Sequence, residues 1–246
     1  MGYHEIAPPN GLRDLVETGW MARGHGETAR VLPDGCMDLI RMDDRVVVAG
    51  PDTCALITSR GRSPVVGLRF RPGALPRLLG VPAAELVGLR VALDELCTVD
   101  SRAPLTVVAR ELASRPERRE TSPWSMQALG SLTAALAAGT SAGRVARETG
   151  WSSRTLQRQC RTVYGYGPAT LRRILRFRRA MSLLRTGRSL ADVAVAAGYA
   201  DQPHLHREVR ALAGTTVTAL AAGQFTDYVN GAKRSTEVPS GSSTVA

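Results

Sequence analysis

Arginine, glutamine and histidine recur at helical spacing in two short stretches of the second half of the chain: Arg154, Gln157 and Arg158 in one, Gln202, His204, His206 and Arg207 in the other. Arg can bond guanine O6 and N7 together, and Gln can do the same with adenine N6 and N7, so these residues on one helix face have the chemistry to read base edges. Ser153, Arg161, Arg172, Arg173 and Arg210 nearby suit phosphate, which gives affinity and salt dependence without sequence information. A single arginine of this kind is ordinarily a solvated helix face; the clustering on two helices is what favours recognition.

The stretches are positioned by a pattern that occurs twice, offset by 48 residues: Arg144-Val145-Ala146-Arg147-Glu148-Thr149-Gly150-Trp151 and Asp192-Val193-Ala194-Val195-Ala196-Ala197-Gly198-Tyr199. In each, a Val-Ala pair opens a short apolar face, a Gly and an aromatic follow, and a polar helix comes next. That order describes a buried support helix, a tight turn and a second helix free to enter a major groove. The offset suits two three-helix units sharing one connecting helix. Ser141 is a candidate N-cap for the first support helix, and Ser152 or Ser153 for the helix from Arg154 to Val163. Within that helix Leu156 and Cys160 face inward, which turns Arg154, Gln157, Arg158 and Arg161 largely outward. Met126, Leu129, Leu132, Ala135 and Leu136 give a further packed helix over Met126 to Ala138. Trp151 and Tyr199 follow the turn glycines directly, so packing between helices is expected of them rather than base stacking. His204 and His206, two apart, point to different faces and make no metal site. Arg207 could equally pair with Glu208, Asp201 or a backbone carbonyl.

Charge separates the two halves. Residues 1–124 hold sixteen Arg against sixteen Asp and Glu, whereas residues 125–234 hold sixteen Lys and Arg against five acids, so the net +10 belongs to the second half. A polyanionic partner is therefore expected there. Lys233 is the only lysine, and an arginine-rich proteome would explain Arg in place of Lys but not the scarcity of acids after Glu120. Cys36, Cys54, Cys97 and Cys160 lack any metal-ligand spacing, so neither zinc nor another cofactor is expected. With no leader-like start and no membrane-length apolar run, the sequence reads as a cytoplasmic protein with reduced thiols and no membrane contact.

The first half has β-leaning runs at Met37 to Met42, Arg45 to Ala49, Thr53 to Thr58 and Val65 to Phe70, broken by Pro33-Asp34-Gly35 and Gly50-Pro51-Asp52. Helical stretches are expected from Pro72-Gly73-Ala74 through Leu79, from Pro82 to Leu86, from Leu93 to Cys97 and from Leu105 to Ala113. The fold class is α+β: a small antiparallel β-rich domain with helices, then an all-α domain of two helix-turn-helix units and a connecting helix. The expected limits are 1–114 for a sensor or dimerisation domain, 115–124 for a linker, 125–225 for the reading domain and 235–246 for a disordered tail. Asp34 and Asp38 invite thoughts of catalysis or metal binding, but Pro33-Asp34-Gly35 reads better as a turn in which Asp34 bonds its own backbone. Arg69 and Arg71 alternate with Leu68 and Phe70, so at least one could line a pocket with Asp34 and Asp38 and meet an acidic ligand, although surface exposure is the more ordinary outcome.

With these residues in view, the second half resembles the AraC/XylS family of bacterial transcription regulators. Gly150-Trp151-Ser152-Ser153-Arg154-Thr155-Leu156-Gln157-Arg158 resembles the family's first turn and reading helix, and Tyr164-Gly165-Tyr166-Gly167-Pro168 the step closing the first unit. The segment from Arg176 to Leu184 resembles the connecting helix, and Ser189 to Gly214 the second unit. The pattern departs at Cys160 and Val209, where the family usually has Phe, and at Val217, where it usually has Pro. Smaller core residues are expected to loosen each unit by about one to a few kcal/mol, by analogy with large-to-small core changes. The stretches Leu32 to Leu39 and Val66 to Ala74 resemble an amino-terminal domain found ahead of such reading domains. The resemblance implies double-stranded operator DNA as partner, RNA polymerase as a further one, and a first domain that senses a small-molecule effector or forms a homodimer. An enzyme fused to a reading module, such as a DNA-repair methyltransferase, would need a reactive cysteine in a polar setting, which Gly35-Cys36-Met37 does not offer. A non-specific nucleic-acid binder would not need paired reading units.

Overall fold

The computed structural model describes residues 2–23, 28–59, 63–222 and 226–228. The first half is built on a six-stranded antiparallel sheet in the order β1-β2-β7-β4-β5-β8. Its strands are β1 (Gly2–Ile6), β2 (Val16–Arg23), β4 (Met37–Met42), β5 (Arg45–Ala49), β7 (Val65–Phe70) and β8 (Arg90–Ala92). A smaller sheet joins β3 (Thr28–Val31) to β6 (Leu56–Ser59) in antiparallel fashion and to β9 (Thr226–Tyr228) in parallel. Register sets what the large sheet presents: Trp20 lies opposite Gly67, and Leu39 opposite Leu68. The short helices α1 (Ala74–Leu79), α2 (Leu93–Leu96) and α3 (Leu105–Ala113), with a 3-10 turn at Ala83–Glu85, cover one face. Phe70, Leu75, Leu93 and Leu112 are fully buried between sheet and helices.

The second half is helical: α4 (Met126–Ala137), α5 (Ala142–Glu148), α6 (Ser153–Tyr164), α7 (Pro168–Leu184), α8 (Leu190–Ala197), α9 (Gln202–Ala213) and α10 (Val217–Ala221). Two cores share α7. Its first half contributes Leu171, Ile174 and Leu175 to a core with α4, α5 and α6, and its second half contributes Phe177, Ala180 and Met181 to a core with α8, α9 and α10. This is the α+β architecture expected, with a β-rich amino-terminal region and two helix-turn-helix units on one connecting helix.

Several elements differ from expectation. The segment expected as a linker, residues 115–124, is packed against α1: Thr121 is buried, and buried Arg77 bonds both carboxylate oxygens of Glu117 and the carbonyl of Trp124 at 2.7 Å. The run from Thr53 forms a strand only from Leu56, because the backbone N–H of Ala55 is bonded to the Leu212 carbonyl of α9 (2.7 Å). Strand β9 carries the chain back to the amino-terminal region after the helical half. The tail expected over 235–246 lies outside the described residues.

Candidate nucleic-acid interface

Each unit is shaped by the same local rules. Ser141, Ser152 and Ser189 cap α5, α6 and α8 by accepting backbone N–H bonds, and the Asp201 carboxylate caps α9 from the His204 N–H at 2.6 Å. The turns pass through Gly150 and Gly198 at φ of 68° and 83°, a region that a side chain at these positions would strain. After each turn the aromatic folds inward. Trp151 stacks on Trp124 with ring centroids 5.2 Å apart. Tyr199 is buried, with the Arg176 guanidinium 4.5 Å from its ring centre. Both aromatics are thus structural.

In α6, Leu156, Cys160 and Val163 are buried, and Ser153, Arg154, Arg158 and Arg161 are exposed on the opposite side. Gln157 departs from expectation. It is half-buried, with its amide lying over Gly167, where any Cβ would collide with it. Packing at the α6–α7 step therefore holds this side chain away from the open face. Cys160, fully buried, has its thiol pushed up to about 12 by desolvation.

In α9, Leu205, Val209 and Leu212 are buried, while Gln202, Arg207 and Arg210 are exposed. His206 is half-buried and shares a 3.3 Å hydrogen bond with Gln202. His204 does not stand free. Its ring meets Tyr199 edge-on at 5.2 Å, and its Nδ1 accepts the Ala200 N–H at 3.4 Å. Arg173, expected to touch phosphate, instead donates to Glu208 at 2.8 Å, and Arg176 donates to the same oxygen at 3.4 Å. Partial burial pushes the Glu208 carboxyl up, but these two guanidiniums outweigh it and hold the carboxyl below its ordinary value. Glu208 thus takes Arg173 and Arg176, leaving Arg207 on the surface. Arg172 is half-buried on α7.

The amino-terminal residues fall into two places. Asp34 does form the expected turn, accepting the Cys36 N–H at 2.8 Å, and it also pairs with buried Arg69 at 3.1 Å. Asp38 lies 3.5 Å from Arg69 and accepts the Trp20 indole N–H at 2.8 Å. Desolvation raises the Asp38 carboxyl to about 6 against the opposing pull of Arg69. All three charged residues line a cavity of about 420 Å³ between the two sheets. Arg71 does not. It follows the last residue of β7, is exposed, and donates to the Arg13 carbonyl at 3.1 Å. Arg69 is thus not on the surface, the more ordinary outcome for it, and its guanidinium is already held by Asp34, Asp38 and, at 3.7 Å, Glu5, which leaves little for an acidic ligand. Cys36 is buried, and burial followed by the Asp34 charge drives its thiol well above the ordinary range, the opposite of a nucleophile's environment.

The first domain also touches the far ends of α6 and α9. An added Cβ at Gly165, just past α6, would meet Pro51 and Val87, and the Arg30 guanidinium donates to the Ala213 carbonyl at the end of α9 (2.5 Å). Between them, Arg178 of α7 is ion-paired with Glu17 and donates to the Cys36 sulfur at 3.5 Å.

Residues 145–222 match a family model described as a helix-turn-helix domain. The carboxy-terminal region thus carries a helix-turn-helix domain. Residues 4–92 match a second model, described as a domain of unknown function (DUF6597). The helix-turn-helix match supports a DNA-binding role for the carboxy-terminal region. No curated protein sequence matches the chain. Among solved structures, ToxT from Vibrio cholerae O395 is similar at 10% identity and a TM-score of 0.47, over 83% of this chain and 95% of that one. A second ToxT structure from Vibrio cholerae, in a P21 crystal form, gives 9% identity and 0.45 over 90% and 98% of the two chains. The likeness is loose at these values. Among the described residues no helix is long and apolar enough to cross a membrane, and no group of His, Cys, Asp and Glu is placed to hold a metal ion.

Proposed function

We propose that the AraC-type domain recognises specific DNA, laying α6 and α9 in two successive major-groove segments about 34 Å apart along one side of the duplex. The observation that carries this reading is the repeated arrangement itself. Each of the two helices is anchored, across a left-handed glycine, by a support helix that buries a Val-Ala pair (Val145-Ala146 and Val193-Ala194), and each turns exposed Arg or Gln away from its core. Arg154 and Arg158 read bases in the first unit, and Gln202 and Arg207 in the second, with His206 beside Gln202. Gln157 and His204 support their helices instead. Ser153, Arg161, Arg172 and Arg210 grip phosphate. Arg172→Ala accordingly weakens all sequences alike and lowers the salt slope by about one.

The reading extends to control through residues 1–114. An effector in the cavity, or a second copy of the chain bound through this domain, alters how Arg30, Pro51 and Glu17 hold the reading helices and α7. RNA polymerase is the further partner such a regulator addresses. Selection of bound sequences from random duplex DNA, with the full chain at physiological salt, tests the core of this reading. Two half-elements about one helical turn apart are expected. Recovery of sequence-independent binding alone would overturn specific recognition.

A further inference from the structure

We infer that the amino-terminal cavity takes an organic cation, an amine carrying a compact apolar or aromatic group. This rests on the reading of the cavity as an effector site and names the chemistry of its ligand. At about 420 Å³ the space is of small-molecule size. Its described lining is mainly apolar, with Leu32, Ile40 and Val47 among the contributors. Its charged lining is four aspartates, Asp34, Asp38, Asp43 and Asp52, against two arginines, Arg69 and Arg90.

Both arginines are already committed. Arg90 bonds the two carboxylate oxygens of Asp52 at 2.7 and 3.2 Å. Arg69, with its side chain 4% exposed, is enclosed by Asp34, Asp38 and Glu5. An incoming carboxylate would find no uncommitted cation at the floor and would lie beside two like charges, where the low dielectric makes repulsion expensive. An ammonium group meets the reverse. A carboxylate has about four acceptor sites. The Trp20 indole and Arg69 occupy part of the capacity of Asp38, and the Cys36 amide and Arg69 part of that of Asp34, leaving acceptors toward the cavity.

Trp20 supplies the second half of the recognition. Its ring lies across β7 where Gly67 has no side chain to lift it, Tyr3 tilts against it at 5.9 Å, and the residue also lines the cavity. Indole is the strongest of the aromatic partners for a cation. The apolar walls then take the rest of the ligand, which excludes a bare metal ion or a highly hydrated polyamine.

Three probes of one shape separate the alternatives on the full chain: 3-phenylpropylamine, 3-phenylpropanamide and 3-phenylpropanoate, each titrated by calorimetry and then added to a binding assay on selected DNA. The amine should bind about tenfold more tightly than the carboxylate, with the amide between, and should shift DNA affinity. Asp38→Asn should erase the preference for the amine while retaining the amide. Trp20→Phe should weaken the amine more than the amide, which keeps the test open if Asp38→Asn does not fold. Carboxylate binding as tight as amine binding, or an amine preference that survives both substitutions, would overturn the cationic ligand and leave the effector reading standing. Failure of all three probes to bind, or binding that leaves DNA affinity unchanged, would overturn the effector reading and the ligand class together.

Discussion

In the first unit Arg154, Arg158 and Arg161 stand on the open face of α6, whereas in the second unit Glu208 of α9 draws in Arg173 and Arg176 of the shared helix α7 and His204 is turned onto Tyr199. The two units share caps, turn glycines and a connecting helix, yet they use charge for different ends. The first leaves the cations of α6 on its open face. The second draws two cations of the shared α7 onto α9 and so fixes the angle between those helices. Helix-turn-helix geometry therefore does not require equal reading by both halves, and the first unit should dominate base choice.

The largest effect that could break this comparison is on DNA affinity. Arg158→Ala should cost about 1–3 kcal/mol on a selected site and relax preference at one base pair, as expected for loss of a bidentate base contact. Arg207→Ala should cost less on the same site. Competition binding against single-base variants checks both, and equal losses would refute the asymmetry.

The next effect is on stability and has the opposite address. Glu208→Ala leaves Arg173 and Arg176 without their shared partner at a site where the Glu208 side chain is 17% exposed, and should cost about 2 kcal/mol in urea unfolding. The pH dependence has a fixed sign. The Glu208 carboxyl is lowered in the folded state relative to its ordinary value of 4.5, so its contribution is present above that pH and is lost as pH falls through the lower folded value. Unfolding free energy measured across that acid range should fall more steeply for the native protein than for Glu208→Gln.

These two effects also mark what can be read from a sequence. The helices of the second half are legible to within a residue or two because local chemistry ends them: Ser141 and Ser152 cap, and Gly150, Gly198 and Gly214 stop. The outward direction of Arg154 and Arg158 follows from Leu156 and Cys160 alone. The fate of Arg173 does not, because its partner Glu208 is 35 residues away on another helix. Gln157 is diverted by a glycine ten residues on that only the α6–α7 step brings beneath it. In the first half β2 shows no alternation, since Gly19 lies under Ile6 and Trp20 over Gly67 on opposite faces that are both covered. Asp34 was readable as a turn residue, yet its second role with Arg69 depends on strand pairing across the sheet.

The caps come next in size and should not distinguish the units. Ser152→Ala removes the acceptor for the Thr155 N–H at 3.1 Å, and Asp201→Ala removes that for the His204 N–H at 2.6 Å. Each should cost about 1 kcal/mol in urea unfolding. A much larger loss from Asp201→Ala would mean that the cap also holds His204 against Tyr199, which would extend the internal use of polar groups in the second unit.

The smallest effect sharpens the comparison by contrast with Glu208. Glu148 on α5 makes an ion pair with Arg144 at 2.7 Å, shorter than the Arg173–Glu208 contact, yet both its members are more than half exposed. Distance alone would rank the Arg144 pair first. Solvent screening and the entropy of holding two mobile side chains reverse that order. Glu148→Ala should leave the urea midpoint and the selected DNA sequence unchanged, while Glu208→Ala moves the midpoint clearly. If Glu148→Ala proved as destabilising as Glu208→Ala, burial would not be what separates the two pairs, and the difference drawn between an outward-facing first unit and an inwardly tied second unit would lose its energetic basis.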